Sequence, residues 1–97
     1  MAAESILESV KLRLRVSHNR LDSDYLDMIE AAKAEMERVG IDKAKASETD
    51  NPLIREAIKI FCQMETTTDM AKYDRLKESW DYRLDVLRKS EGYRRSG

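Results

Sequence analysis

The chain has 97 residues, 41% of them hydrophobic and 38% charged, with a formal net charge of -1. That length holds one domain with one modest core, covering about two-thirds of the surface the unfolded chain exposes, and leaves no room for a deep multilayer active site. One His (His18) and one Cys (Cys62) exclude a Cys/His metal cluster and an intramolecular disulfide.

The absence of a disulfide framework fits a reducing compartment. No apolar run approaches the roughly 20 residues needed to span a bilayer. The opening Met1-Ala2-Ala3-Glu4 has neither the basic start nor the apolar stretch of a signal peptide. The expectation is a soluble cytosolic protein with no membrane partner. Few Gly and Pro, against many Ala, Leu, Glu, Lys and Arg, point to an all-α fold.

Ser5-Ile6-Leu7-Glu8 has the Ser-x-x-Glu form of a capping box, and Ile6, Leu7, Val10 and Leu14 then share a helical face. This predicts a first helix from Ser5 to Leu14. Leu12, Leu14 and Val16 also alternate with Arg13 and Arg15, as a strand would. Without a second strand to pair with, the helix is preferred. Ser17 to Arg20 reads as a connector.

A second helix is predicted from Asp22 to Val39, where Tyr25, Met28, Ile29, Ala32, Met36 and Val39 form a clean amphipathic stripe. Asp22, Ser23 and Asp24 offer a cap and acids that complement the helix dipole, and Gly40 stands at the position that ends the helix. Residues 41–51 are polar and broken, and are expected to be a loop.

Asn51-Pro52 signals a third helix, with Asn as N-cap and Pro in the first turn. From Leu53 to Met64 apolar residues nearly surround it, so it is either the central helix or part of a subunit interface. The β-branched run Thr66-Thr67-Thr68 and the capping Asp69 separate it from a long last helix. There Met70, Tyr73, Leu76, Trp80, Leu84 and Leu87 form the stripe, with Tyr82 and Val86 on a neighbouring face. The reading is a single domain over residues 1–97, a compact bundle of about four helices ending near Ser90. Residues 1–4 and a short basic tail, 91–97, are expected to be mobile.

Charge is segregated. Residues 11–20 carry four bases and no acid, residues 22–50 nine acids against four bases, and residues 88–97 four bases against one acid. Alternating blocks suit head-to-tail contact between copies of one chain better than a dedicated DNA surface. Any single charge is read first as part of a solvated helix face.

Candidate sites are few. Asp22, Asp24 and Asp27 lie at a helix start without the Gly and terminal Glu of a calcium loop, so capping explains them better than a cation. His18 has no nucleophile beside it, and Cys62 sits in the most apolar segment as a small core residue. No phosphate loop, zinc-protease motif or nucleophile elbow occurs, so neither an enzyme, a cofactor nor a small-molecule substrate is expected. Trp80 either completes the core or, with Tyr82 and Arg83, forms an interface hot spot.

Val10-Lys11-Leu12-Arg13-Leu14-Arg15-Val16, then Asp24-Tyr25-Leu26-Asp27-Met28-Ile29-Glu30-Ala31-Ala32 and Gly40, resembles the small all-helical head–tail connector proteins of long-tailed bacteriophages. Asn51 to Ile58 is similar to the family's third helix, and Tyr73 to Leu87 followed by Ser90-Glu91-Gly92-Tyr93 to its ending. The resemblance spans nearly the whole chain. It implies a structural role without catalysis: a homo-oligomeric ring docked on the portal of a DNA-filled head, extending the channel and offering a platform to tail-completion proteins. It places the chain at the virion head–tail interface, and in the host cytoplasm during assembly. Under this reading Trp80, Tyr82, Arg83, Arg88, Lys89, Tyr93, Arg94 and Arg95 are the candidate subunit or portal contacts. Arg88, Lys89, Arg94 and Arg95 are also candidates for non-specific contact with channel DNA. A helical adaptor of an unrelated complex and a small DNA-binding regulator are the alternatives.

Overall fold

Ser5 opens the first helix as expected: its Oγ accepts from the Glu8 N–H at 3.1 Å, and α1 runs Ile6–Leu14 in a computed structural model that describes residues 5–95. Helical spacing wins over the strand-like alternation, because Val10 is wholly buried while Leu12 is 66% exposed. The helix closes with two bonds, Arg15 N–H to Leu12 O (3.1 Å) and Val16 N–H to Lys11 O (2.9 Å). That Schellman closure needs a left-handed residue, and Arg15 supplies it at φ 60°.

The second helix, α2, runs Asp22–Arg38 and buries Tyr25, Ile29, Ala32 and Met36 on one stripe. Its start differs from the expectation. Leu21 is the N-cap and makes no side-chain capping bond. Asp22 instead lies inside the first turn, where it faces the helix dipole and pairs with Lys11 of α1 at 2.8 Å. The end is as expected: Gly40 takes φ 109°, its N–H bonds Glu37 O at 3.1 Å, and Ile41 N–H reaches back to Met36 O at 3.0 Å.

The polar stretch after Gly40 is not simply a loop. It contains one helical turn, α3, Lys43–Ala46, started by Asp42, whose carboxylate accepts from Lys45 N–H. Ile41 just before it and Ala46 at its last position are fully buried, so two apolar residues anchor an otherwise hydrophilic segment.

The third predicted helix is α4, Pro52–Thr66, with Asn51 Oδ1 accepting from Leu53 N–H at 2.9 Å and Pro in the first turn. It is the central helix: it buries Ile54, Ala57, Ile58, Ile60, Phe61 and Cys62, and packs against α1, α2 and α5. Two charged residues on its outer side tie it to α1. Glu56 takes both Arg13 guanidinium nitrogens at 2.8 and 3.0 Å, and Arg55 donates to Ser9 Oγ at 2.8 Å and Thr49 O at 2.9 Å.

Asp69 caps the last helix, α5, Met70–Lys89, by accepting from Ala71 and Lys72 N–H. Only the second half of its apolar stripe is buried: Trp80, Leu84 and Leu87. Tyr73 and Leu76 are half-buried and Met70 is 70% exposed. A short connection after Thr66 folds α5 back along α4, the helix against which it chiefly packs.

In the tail expected to be mobile, residues 93–95 make backbone contacts with Gly40 to Asp42. Asp42 N–H donates to Tyr93 O at 2.7 Å, Ile41 and Arg94 form an isolated antiparallel bridge, and Arg95 N–H donates to Gly40 O at 2.8 Å. Tyr93 packs on the core and accepts from Asn51 Nδ2 at 2.8 Å. The composition of the tail is that of a free end, but one aromatic ring and two backbone bonds connect it to the rest of the domain. Residues 1–4, 96 and 97 lie outside the described residues.

Candidate assembly interface

The eight residues singled out from the sequence fall in three places. Trp80 is 6% exposed, and its ring lies 5.1 Å from that of Phe61 at 51°. It therefore belongs to the core, closing the angle between α4 and α5. Only an edge reaches a groove of about 510 Å³ between α2 and α5, beside Ala31, Ala34, Lys77 and Asp81.

Tyr82 and Arg83 lie on the other flank of α5. Tyr82 is 71% exposed. With Leu53 of α4, Val86 and Leu87 they line a shallow apolar groove of about 140 Å³. Leu53 and Val86 are large apolar side chains left half in water. Arg83 Nε donates to Ser79 Oγ at 3.3 Å, and its charge, with those of Arg13 and Lys59, acts on Glu56. The hydrogen bonds from Arg13, before any of these charges, hold the Glu56 carboxyl below the usual carboxylate range. Three cations around one carboxylate leave this flank positive.

Arg88 and Lys89 both turn onto Asp85, at 2.6 and 2.9 Å. Hydrogen bonds from Lys89 and then Arg88 lower the Asp85 pKa. One carboxylate between two cations leaves a small positive excess at the end of α5, where cations also suit the helix dipole. Tyr93, Arg94 and Arg95 form the third place. The Lys45 ammonium sits 6.0 Å from the Tyr93 ring centre, and both arginine side chains are exposed.

The remaining candidates are accounted for locally. Asp22 pairs with Lys11, and no group of three metal-ligating side chains occurs among the described residues. His18 is exposed in the α1–α2 connection. Cys62 is fully buried, and burial first, then Glu65, pushes its thiol up to about 12, so it is a protonated core residue at neutral pH. Among the described residues no helix is long and apolar enough to cross a membrane.

Leu53 was not legible as a surface residue, because it follows Pro52 at the head of the most apolar helix, whereas Leu26 falls outside the predicted stripe of α2. The usable signal was geometric: a helix apolar all round, in a chain this short, must leave some of its circumference uncovered.

No curated protein and no solved structure matches this chain. A family model described as phage connector protein matches residues 6–91, from the first residue of α1 to just past the end of α5. That span takes in every helix, the apolar groove and the buried Trp80, and the five-helix all-α fold agrees with the connector resemblance of the sequence. The chain belongs to the phage connector protein family.

Proposed function

We propose that the protein is a non-catalytic connector that assembles as a homo-oligomeric ring docked on the portal, extends the DNA channel and gives tail-completion proteins their platform. The observation that carries this reading is the family match over residues 6–91, nearly the whole chain. The surface supports it. A single small domain that leaves an apolar groove and segregated charge in water has the features of a subunit made for repeated contact. Assembly takes place in the host cytoplasm, and the mature position is the virion head–tail interface. The ring needs no cofactor, membrane or small-molecule substrate.

In this reading Tyr82 and Arg83 serve subunit contact, with Trp80 supporting them from the core. Arg88, Lys89, Tyr93, Arg94 and Arg95 form the portal-facing end, and the two exposed arginines are available to DNA phosphates through salt-sensitive, sequence-independent contacts.

Light scattering on the size-exclusion peak, over a concentration series with and without portal, tests the assembly. A closed ring on its own or on the portal is the expected result, and a persistent dimer under both conditions contradicts it. Deleting residues 91–97 is expected to weaken portal binding and genome retention. Unchanged binding and retention would remove the C-terminal segment from the portal contact.

A further inference from the structure

A ring built from one kind of subunit needs two different complementary faces, and two surfaces of this molecule fit each other. The first is the groove between α4 and α5, with Leu53, Tyr82 and Val86 as apolar walls and Arg83 at its edge. The second is the outer side of α2. There Leu26 is 46% exposed, and Asp27 and Glu30 stand next to it on the same helical face.

The two lie on different sides of the molecule. The buried stripe of α2 faces the core, so Leu26, Asp27 and Glu30 point away from it. On α5, Arg83 and Val86 lie across the helix from Lys77 and Asp81, which face α2 over the second groove. The α4–α5 groove thus opens away from α2, and one subunit can present both faces at once.

We infer that the α4–α5 groove receives the outer face of α2 from a second copy of the same chain, with Leu26 seated between Leu53, Tyr82 and Val86. Charge selects this occupant. The groove flank holds Arg83, Lys59 and Arg13 around the carboxylate of Glu56. The arriving face brings Asp27 and Glu30, and Glu30 is matched within its own helix by one cation, Lys33, at 3.0 Å. An apolar centre with opposite charges at its edge gives both cohesion and register. The contact is head-to-tail, so it leaves a free groove at one end and a free α2 face at the other, and it propagates until it closes. The inference rests on the ring reading, and adds to it which faces meet.

Two variants test it, Leu26→Asp and Tyr82→Asp. Both sites are exposed, so the fold should survive, and circular dichroism checks that it does. A charge in the apolar centre is expected to weaken self-association at least about thirtyfold, the scale of an interface hot spot. Each variant alone should therefore be monomeric where the parent assembles.

Mixed, they should form a 1:1 pair that cannot grow, because the intact α2 face of Tyr82→Asp fits the intact groove of Leu26→Asp. NMR titration detects the pair even when weak. Pairing on mixing, with line broadening at Leu53 and Val86, supports the assignment. No pairing, or variants that assemble as the parent does, overturns the assignment and leaves the ring reading standing. A parent chain that stays monomeric with and without portal overturns both.

Discussion

Replacing Trp80 by Ala separates the two roles the sequence left open for it. The side chain is 94% withdrawn from water and its ring packs, tilted, 5.1 Å from that of Phe61 at the junction of α4 and α5. A Trp buries about 150–250 Å², which at ~25 cal/mol per Å² corresponds to roughly 4–6 kcal/mol. Observed losses for such truncations run about 3–5 kcal/mol, because the cavity partly collapses. A domain of this length holds roughly 5–15 kcal/mol in all. The variant therefore loses about a fifth of its stability at the least, and its Tm should fall by ~12 °C or more at about 4–8 °C per kcal/mol. Trp80→Phe keeps a ring against Phe61 and should lose about half as much. Urea unfolding followed by circular dichroism at 222 nm gives both values at constant m. A Trp80→Ala protein within ~2 °C of the parent that has lost assembly would refute the core assignment and make Trp80 a surface contact.

Arg15 holds a left-handed conformation at φ 60°, which costs an L-residue about 1–2 kcal/mol. Arg15→Gly relieves that at an entropic cost of about 0.5–1 kcal/mol, so a gain of about 0.5–1 kcal/mol in urea midpoint stability is expected, and Arg15→Val should lose stability. For Cys62, with its thiol pushed up to about 12 and fully buried, iodoacetamide at pH 8 should leave the native protein unmodified. Labelling should follow unfolding in urea, and fast labelling of native protein would place the sulfur at the surface. The Glu56 carboxyl is depressed by its hydrogen bonds from Arg13. The stability it contributes is therefore present above the ordinary carboxylate range and is lost as pH falls through its lower folded value. The parent should exceed Glu56→Gln in urea midpoint at pH 7, and the gap should narrow below pH 4; a gap that stays constant would mean the pair is not linked to protonation.

Helices were legible where periodicity and caps agreed. Tyr25, Ile29, Ala32 and Met36 named the buried side of α2, and Asn51-Pro52 and Asp69 marked where α4 and α5 begin. The one-turn α3 was hidden because four residues cannot show a period, and only the buried Ile41 and Ala46 betray its packing. The tail hid its contacts for a different reason. The Arg94 and Arg95 side chains are solvated as they read, yet the Tyr93 carbonyl and the Arg95 N–H bond residues some fifty positions away, and composition does not report such contacts. Of the candidate interface, Tyr82 and Arg83 were legible by residue type, whereas Leu53 was absorbed into the apolar run of α4. Which side of that run stays uncovered depends on where α1, α2 and α5 land.

The strap formed by Tyr93 to Arg95 also gives folding an order. It pairs with Gly40 to Asp42 across some fifty intervening residues, whereas each helix closes on bonds four residues apart. Contacts that far apart along the chain carry the larger loop-closure cost and form after local ones. The helices can therefore be in place while the edge at Ile41 is still open, and the bond from Asn51 to the Tyr93 hydroxyl marks the moment it shuts.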